Sequence, residues 1–188
     1  MASIGALGLH IRQAQIQDAP PIARLHAESW RRHYRGAYAD GYLDGDVVAD
    51  RLDAWTQRLA SDVPSRVTLG AWSDGDLIGF VHVELDGEAP WGALVDNLHV
   101  DRSAQRRGAG SRLMAAAAGA VLARRPGAGL YLWVLAQNRD AQAFYAARGG
   151  RLADTRPVPP PGGVDARLCG QPLVIRVVWP DPATLLPA

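Results

Sequence analysis

The chain has 188 residues, a formal net charge of +1, and 48% hydrophobic against 21% charged residues, the balance of one soluble globular domain with a substantial core. A near-neutral chain offers no overall field for nucleic acid, and a single cysteine, Cys169, excludes an internal disulfide or a cysteine-built metal centre. No run approaches the ~20 apolar residues of a membrane span, and Met1 to Leu9 lacks an export pattern, so the expectation is one domain over residues 1–188 in a reducing, cytoplasmic setting.

In chain order, Leu9 to Arg12 alternates and reads as a strand. Asp18 is placed to cap a helix with Pro20 and Pro21 in its first turn; it carries Ile22, Leu25, His26 and Ser29 on one face, and Gly36 stops it. Tyr38 to Gly45 reads as loop, after which Asp44 or Asp46 caps a helix through Val48, Leu52, Trp55 and Leu59. The period then changes: Arg66 to Trp72 and Leu77 to Leu85 are strands joined by an Asp74-Gly75 hairpin turn.

Trp91 to Val100 reads as the next strand and Gly108 to Arg124 as an alanine-rich helix stopped by Pro126-Gly127. Leu130 to Leu135 is apolar throughout, as in a strand buried on both faces, and completes a parallel strand-helix-strand unit. Asn138 or Asp140 caps a helix through Phe144, Tyr145 and Arg148, closed by Gly149-Gly150. Arg151 to Arg156 and Pro172 to Trp179 are the last strands, separated by a proline and glycine loop from Pro157 to Gly163.

The junction from Val95 to Ser111 carries the chemistry. A strand runs into a basic turn punctuated by Gly108 and Gly110, and a helix follows, so the backbone folds tightly and the helix start offers unpaired N–H groups to an anion. The turn lacks the Gly-Lys-Ser/Thr ending of a P-loop and the G-x-G-x-x-G spacing of a dinucleotide site, which demotes a general nucleotide binder. The structural alternative is that both glycines only let the helix pack closely on the sheet.

Gln105-Arg106-Arg107-Gly108-Ala109-Gly110 fits Q/R-x-x-G-x-G/A, and Asn138-Arg139-Asp140-Ala141-Gln142-Ala143-Phe144-Tyr145 with Gly149 fits N-x-x-A-x-x-F/Y-Y…G. With these two signatures in this order the chain resembles the GNAT superfamily of N-acetyltransferases. The resemblance implies a mixed α/β (α+β) fold with about seven strands in the sheet and four helices, its parallel strand pair splayed at the cofactor site, and a motif core over residues 91–150. It implies acetyl-CoA as co-substrate and no metal.

Carried over by residue, the resemblance gives Leu98, His99 and Val100 to pantetheine through the strand, and Gln105, Arg106, Arg107, Gly108, Ala109, Gly110 and Ser111 to the pyrophosphate. Asn138, Ala141 and Tyr145 complete the cofactor contacts, and the Tyr145 hydroxyl protonates the departing thiolate, a role suited to a phenol near its reference pKa of ~10. The attacking amine must lose a proton. Period-2 alternation puts Leu94, Asp96, Leu98 and Val100 on one face and Val95, Asn97 and His99 on the other, so Asp96, among apolar neighbours, is the first candidate base and Glu84 the second. His82 and His99 read as ordinary half-buried histidines.

Trp30, Tyr34 and Tyr38 are candidate walls for the acceptor, with core packing as the alternative, above all for Trp30; Arg31, Arg32 and Arg35 form a basic cluster beside them. Cys169 has no evident histidine partner, which favours direct transfer in a ternary complex over an acyl-enzyme. The expected activity is acetylation of a small primary amine, with a peptide amino-group acetyltransferase or a non-catalytic acyl-CoA sensor as alternatives. A homodimer through the terminal strands is an ordinary further expectation.

Overall fold

The computed structural model describes residues 8–187, and the reading of Met1 to Leu7 lies outside them. Seven strands form one sheet: β1 (His10–Gln13), β2 (Arg66–Ser73), β3 (Asp76–Glu84), β4 (Ala93–Val100), β5 (Leu130–Leu135), β6 (Arg151–Pro157) and β7 (Leu173–Trp179). Their order is β1-β2-β3-β4-β5-β7-β6, and among the described residues only β4 and β5 run parallel. Asp74 (φ +52°) and Gly75 (φ +89°) turn the β2–β3 hairpin with both central residues left-handed, as an Asp-Gly turn requires.

Two helices lie with their apolar stripes on one face of the sheet and three occupy the other. The first pair is α4 (Ala109–Arg124) and α5 (Arg139–Ala146); the second group is α1 (Ala19–His33), α2 (Asp40–Asp44) and α3 (Val47–Ala60). Ala109, Leu113, Met114, Ala117 and Val121 of α4 are fully buried against Val81, Val83, Val95 and Leu132, and the small alanines bring the helix axis close to the strands. Opposite, Trp55 of α3 is completely buried and donates to His26 Nδ1 of α1 at 2.9 Å.

The expected four helices become five, because Asp40 to Asp44, expected as loop, makes a short helix that buries Tyr42 and Leu43. Asp18 does not cap α1 with its side chain. Its carboxylate turns back to accept from the Gln15 amide (2.8 Å) and to pair with Arg12 (2.6 Å), closing the 3-10 turn Ile16–Asp18 instead. The helix α1 also ends at His33, before Gly36, whose φ of +79° turns the chain rather than stopping the helix. Among the described residues no helix is long and apolar enough to cross a membrane.

Candidate active site

The parallel pair opens. β4 and β5 meet only at Ala93 with Leu130, Leu94 with Tyr131 and Val95 with Leu132, although β4 remains paired with β3 as far as Val100. From Asn97 to Val100 the side of β4 that faces away from β3 therefore has no strand beside it. Backbone groups stranded inside a sheet need a partner, and an extended chain laid along them supplies one.

The opening begins at a bulge. His82 pairs with Asn97 and the next residue, Val83, pairs with Val95, so Asp96 is the extra residue with no partner on β3. This resets the alternation. Ala93 and Val95 share the α4 side with Leu98 and Val100, while His99 turns to the α1 side, its ring 5.3 Å from Phe80 and 4.6 Å from His26. The expected grouping of Asp96 with Leu98 and Val100 fails for this reason. Instead of apolar neighbours, Asp96 has solvent, the Arg58 guanidinium at 2.8 Å and the Asn97 side-chain amide at 2.6 Å.

Beyond Val100 the chain forms the basic turn. Asp101 accepts from the Ser103 amide (2.8 Å), and the Gln105 side chain donates to the Val100 carbonyl (3.2 Å). Arg106 at φ +60° and Gly108 at φ +88° then swing the backbone into α4. The amides of Ala109, Gly110 and Ser111, first in the helix, donate to nothing among the described residues. Gly110 has a packing reason too, since a Cβ there would stand 3.1 Å from Phe144 Cζ. The structural alternative thus holds for Gly110 without touching the free amides, and those amides with the bare β4 edge fit an extended ligand that ends in an anion.

On α5, Asn138 caps the helix, its Oδ1 accepting from the Ala141 amide at 3.1 Å. Tyr145 is buried, its ring 5.9 Å from Trp179, and its hydroxyl makes no hydrogen bond among the described residues. Burial, reinforced by the nearby Tyr34 phenol, pushes the Tyr145 pKa above the usual phenol range rather than leaving it at the reference value, so the group stays protonated at neutral pH. Burial first, and then the Asp96 charge, likewise raises Tyr34 to about 12. The Tyr34 ring itself packs beside those of Trp30 (5.5 Å) and Tyr38 (4.6 Å).

Of the candidate acceptor walls only Tyr34 is half-exposed. Trp30 and Tyr38 are 7% exposed and belong to the core beneath α2, the ring of Tyr38 lying 4.6 Å from Tyr34. Tyr38 is also pinned by a backbone bridge to Leu168 in the β6–β7 loop, which brings that loop over the same side. Exposed Cys169 follows it there, its amide donating to the Ala37 carbonyl at 2.9 Å.

Glu84 comes together with Asp96 and His82: one donor atom of each lies within 4.8 Å of the others. His82 Nδ1 is 2.7 Å from Thr68 Oγ1, and burial holds the ring near pKa 4. His99, 2.8 Å from Ser29 Oγ, is held near 3 by burial and by His33. Both are neutral rings at physiological pH.

Three participants carried no signal in the motifs. Arg58, one turn past Trp55 on α3, supplies the partner of Asp96; only the bulge makes them neighbours. Arg148 lies over the Phe144 ring at 3.7 Å and donates to the Ser111 hydroxyl, tying α5 to the first turn of α4. Gln137 donates to the carbonyls of His33 (3.2 Å) and Arg35 (2.8 Å) and fastens the end of α1 to the β5–α5 turn.

The Acetyltransferase (GNAT) family model matches residues 20–149. Probable N-acetyltransferase Rv2775 of Mycobacterium tuberculosis is 30% identical over 143 residues, 73% of this chain and 76% of that protein. Spermidine N(1)-acetyltransferase of Thermoplasma acidophilum is 23% identical over 79% of this chain and 92% of its own length. The crystal structure of the PaiA N-acetyltransferase of Thermoplasma acidophilum in complex with coenzyme A superposes with a TM-score of 0.71 at 19% identity, covering 92% of this chain and all of that one (100%), a likeness of fold. The family match spans the opened strand pair, the free-amide turn and Tyr145, and the chain belongs to the GNAT family of acetyltransferases, as an acyltransferase enzyme.

Proposed function

We propose that the protein transfers an acetyl group from acetyl-CoA to the primary amine of a small molecule by direct attack in a ternary complex. One observation carries the reading: the edge of β4 from Asn97 to Val100 that no strand covers leads through the basic turn into the unpartnered amides of α4. The strand edge at Leu98, His99 and Val100 pairs with pantetheine, and the turn from Gln105 to Ser111 takes the pyrophosphate, with the side chains of Arg106 and Arg107 adding charge. Asn138 and Ala141, at the start of α5, close the opposite side of the arm.

The reacting carbonyl then lies between Tyr145 and Asp96. A neutral amine forms the C–N bond, the C–S bond breaks, and the buried Tyr145 hydroxyl donates its proton or a hydrogen bond to the departing sulfur. The proton shed by the amine passes to Asp96, directly or through water, with Glu84 beside it as a second acceptor. Tyr34 is the wall against which the acceptor packs. A relative named for spermidine acetylation supports a small amine as acceptor over a protein amino group.

The test is CoA release across a panel of amines with wild type and Tyr145→Phe. Turnover with at least one small amine is expected, with kcat lowered by roughly 10²-fold in the variant. Tight binding of acetyl-CoA with no turnover on any amine would overturn the catalytic reading and leave an acyl-CoA sensor.

A further inference from the structure

The charges around the opening are unevenly matched. On the acceptor side several carboxylates have an arginine: Asp96 has Arg58 at 2.8 Å, Glu84 has Arg66 at 3.7 Å, and Asp50 has Arg51 at 2.6 Å and Arg167 at 2.7 Å. Asp40 and Asp44 share Arg35. Two cations at the mouth form no ion pair among the described residues. Arg32, in the last turn of α1, makes no hydrogen bond or ion pair among the described residues, and Arg139, first in α5, donates only to the Gln142 side-chain oxygen at 3.1 Å.

A cavity of about 410 Å³ lies between them, lined also by Arg35, Gln137, Asn138 and Asp140. Its two walls are held together, because Gln137 ties the carbonyls of His33 and Arg35 to the β5–α5 turn. The helix α5 starts in the wall, but its Arg139 and Ala141 amides already donate to the Gln137 carbonyl (3.0 Å) and to Asn138 Oδ1 (3.1 Å), so the arginine side chains supply the positive charge. Asp140 is the one carboxylate in the lining and is exposed, while Arg35 is already neutralised by its own pair. None of these residues belongs to the turn from Gln105 to Ser111, so the cavity is a second basic site, in which Arg32 and Arg139 stand against the single carboxylate of Asp140.

We propose that this cavity is an anion subsite at the mouth of the opened strands, in which the side chains of Arg32 and Arg139 take a phosphate or carboxylate group. The proposal rests on the acetyl-transfer reading only for the identity of the bound molecule. The anion comes either from the 3′-phosphate of CoA or from an acidic group on the acceptor amine.

The experiment measures binding, so that it stands apart from turnover. Calorimetric titration of CoA and 3′-dephospho-CoA is run on wild type, Arg32→Ala, Arg139→Ala, the double variant and Arg24→Ala, an exposed α1 arginine far from the cavity lining. Amines matched with and without a carboxylate are titrated into the CoA complexes of the same proteins. If the cofactor supplies the anion, wild type prefers CoA over dephospho-CoA by roughly tenfold to a hundredfold and the double variant loses the preference. If the acceptor supplies it, the double variant loses a preference of similar size for the carboxylate-bearing amine while its CoA affinity is unchanged. The proposal is overturned if the double variant alters neither preference, or if Arg24→Ala reproduces its effect, which would assign the change to net charge alone. Failure of acetyl transfer with either preference intact would sink the enzyme reading and leave the subsite standing.

Discussion

The two faces of the sheet do different kinds of work with different kinds of atoms. On the α4 face the buried side chains are aliphatic apart from Met114, Tyr145 and Trp179, and what is left without a partner among the described residues is backbone: the edge of β4 and the amides of Ala109, Gly110 and Ser111. On the α1 face the atoms that border the opening are side chains, and the core itself is polar, with His26 and His82 buried and the His99 ring 4.6 Å from that of His26. A backbone site is indifferent to side-chain identity and serves a constant ligand. A side-chain site changes with each substitution and serves a variable one.

The largest expected consequence of this difference is acid sensitivity confined to the α1 face. Burial holds His26 well below its ordinary pKa, His82 near 4 and His99 near 3, whereas the unfolded chain protonates its histidines near 6.5. Below pH 6.5 the unfolded state therefore binds protons that the fold refuses, and stability falls as pH is lowered. The slope approaches ~1.4 kcal/mol per pH unit for each histidine until the folded values are reached. Carboxylates such as Asp18, held low by Arg12, add their loss only below about pH 4. Urea midpoints between pH 7 and 4.5 should fall steadily, and His82→Gln should flatten the curve; a level profile across that range would remove the contrast between the faces.

The converse test breaks the backbone site. Gly108 stands at φ +88° with nothing within 4 Å of a built Cβ, so Gly108→Ala brings no clash, only about 1–3 kcal/mol of backbone strain. CoA affinity is expected to drop roughly tenfold, with the slope of the acid transition unchanged. A variant that binds CoA as wild type does would show that the left-handed turn is dispensable to the cradle.

What the sequence makes readable follows the same division. Strands β2 to β5, the Asp74-Gly75 turn and helix α4 declare themselves through period and glycine placement, because backbone geometry leaves local marks. The acceptor side leaves few. Short α2 is held by burial of Tyr42 and Leu43 against distant residues, which no local pattern records. Alternation misplaces Asp96 because it cannot show an extra residue; the bulge exists in the pairing of β4 with β3 and has no signature within either strand alone. Asp18 reads as the cap of the wrong turn, since the competing partner, Arg12, lies on another element.

Asp96 also provides the smallest and sharpest test. Its pair with Arg58 is partly exposed, both side chains being about 30% accessible, so Arg58→Ala should cost only ~0.2–1 kcal/mol of stability despite the added contact of Arg58 with the Trp55 ring at 5.1 Å. Catalysis should separate what stability does not. If Asp96 accepts the amine proton, Asp96→Asn lowers kcat by roughly 10²-fold while leaving the KM for acetyl-CoA in place. Arg58→Ala, which only orients the carboxylate, should lower kcat less and leave almost nothing further to lose in the Asp96→Asn background. Additive losses in the double variant would mean that the two residues act separately, and Glu84, within 4.8 Å of Asp96, would become the better candidate for the proton.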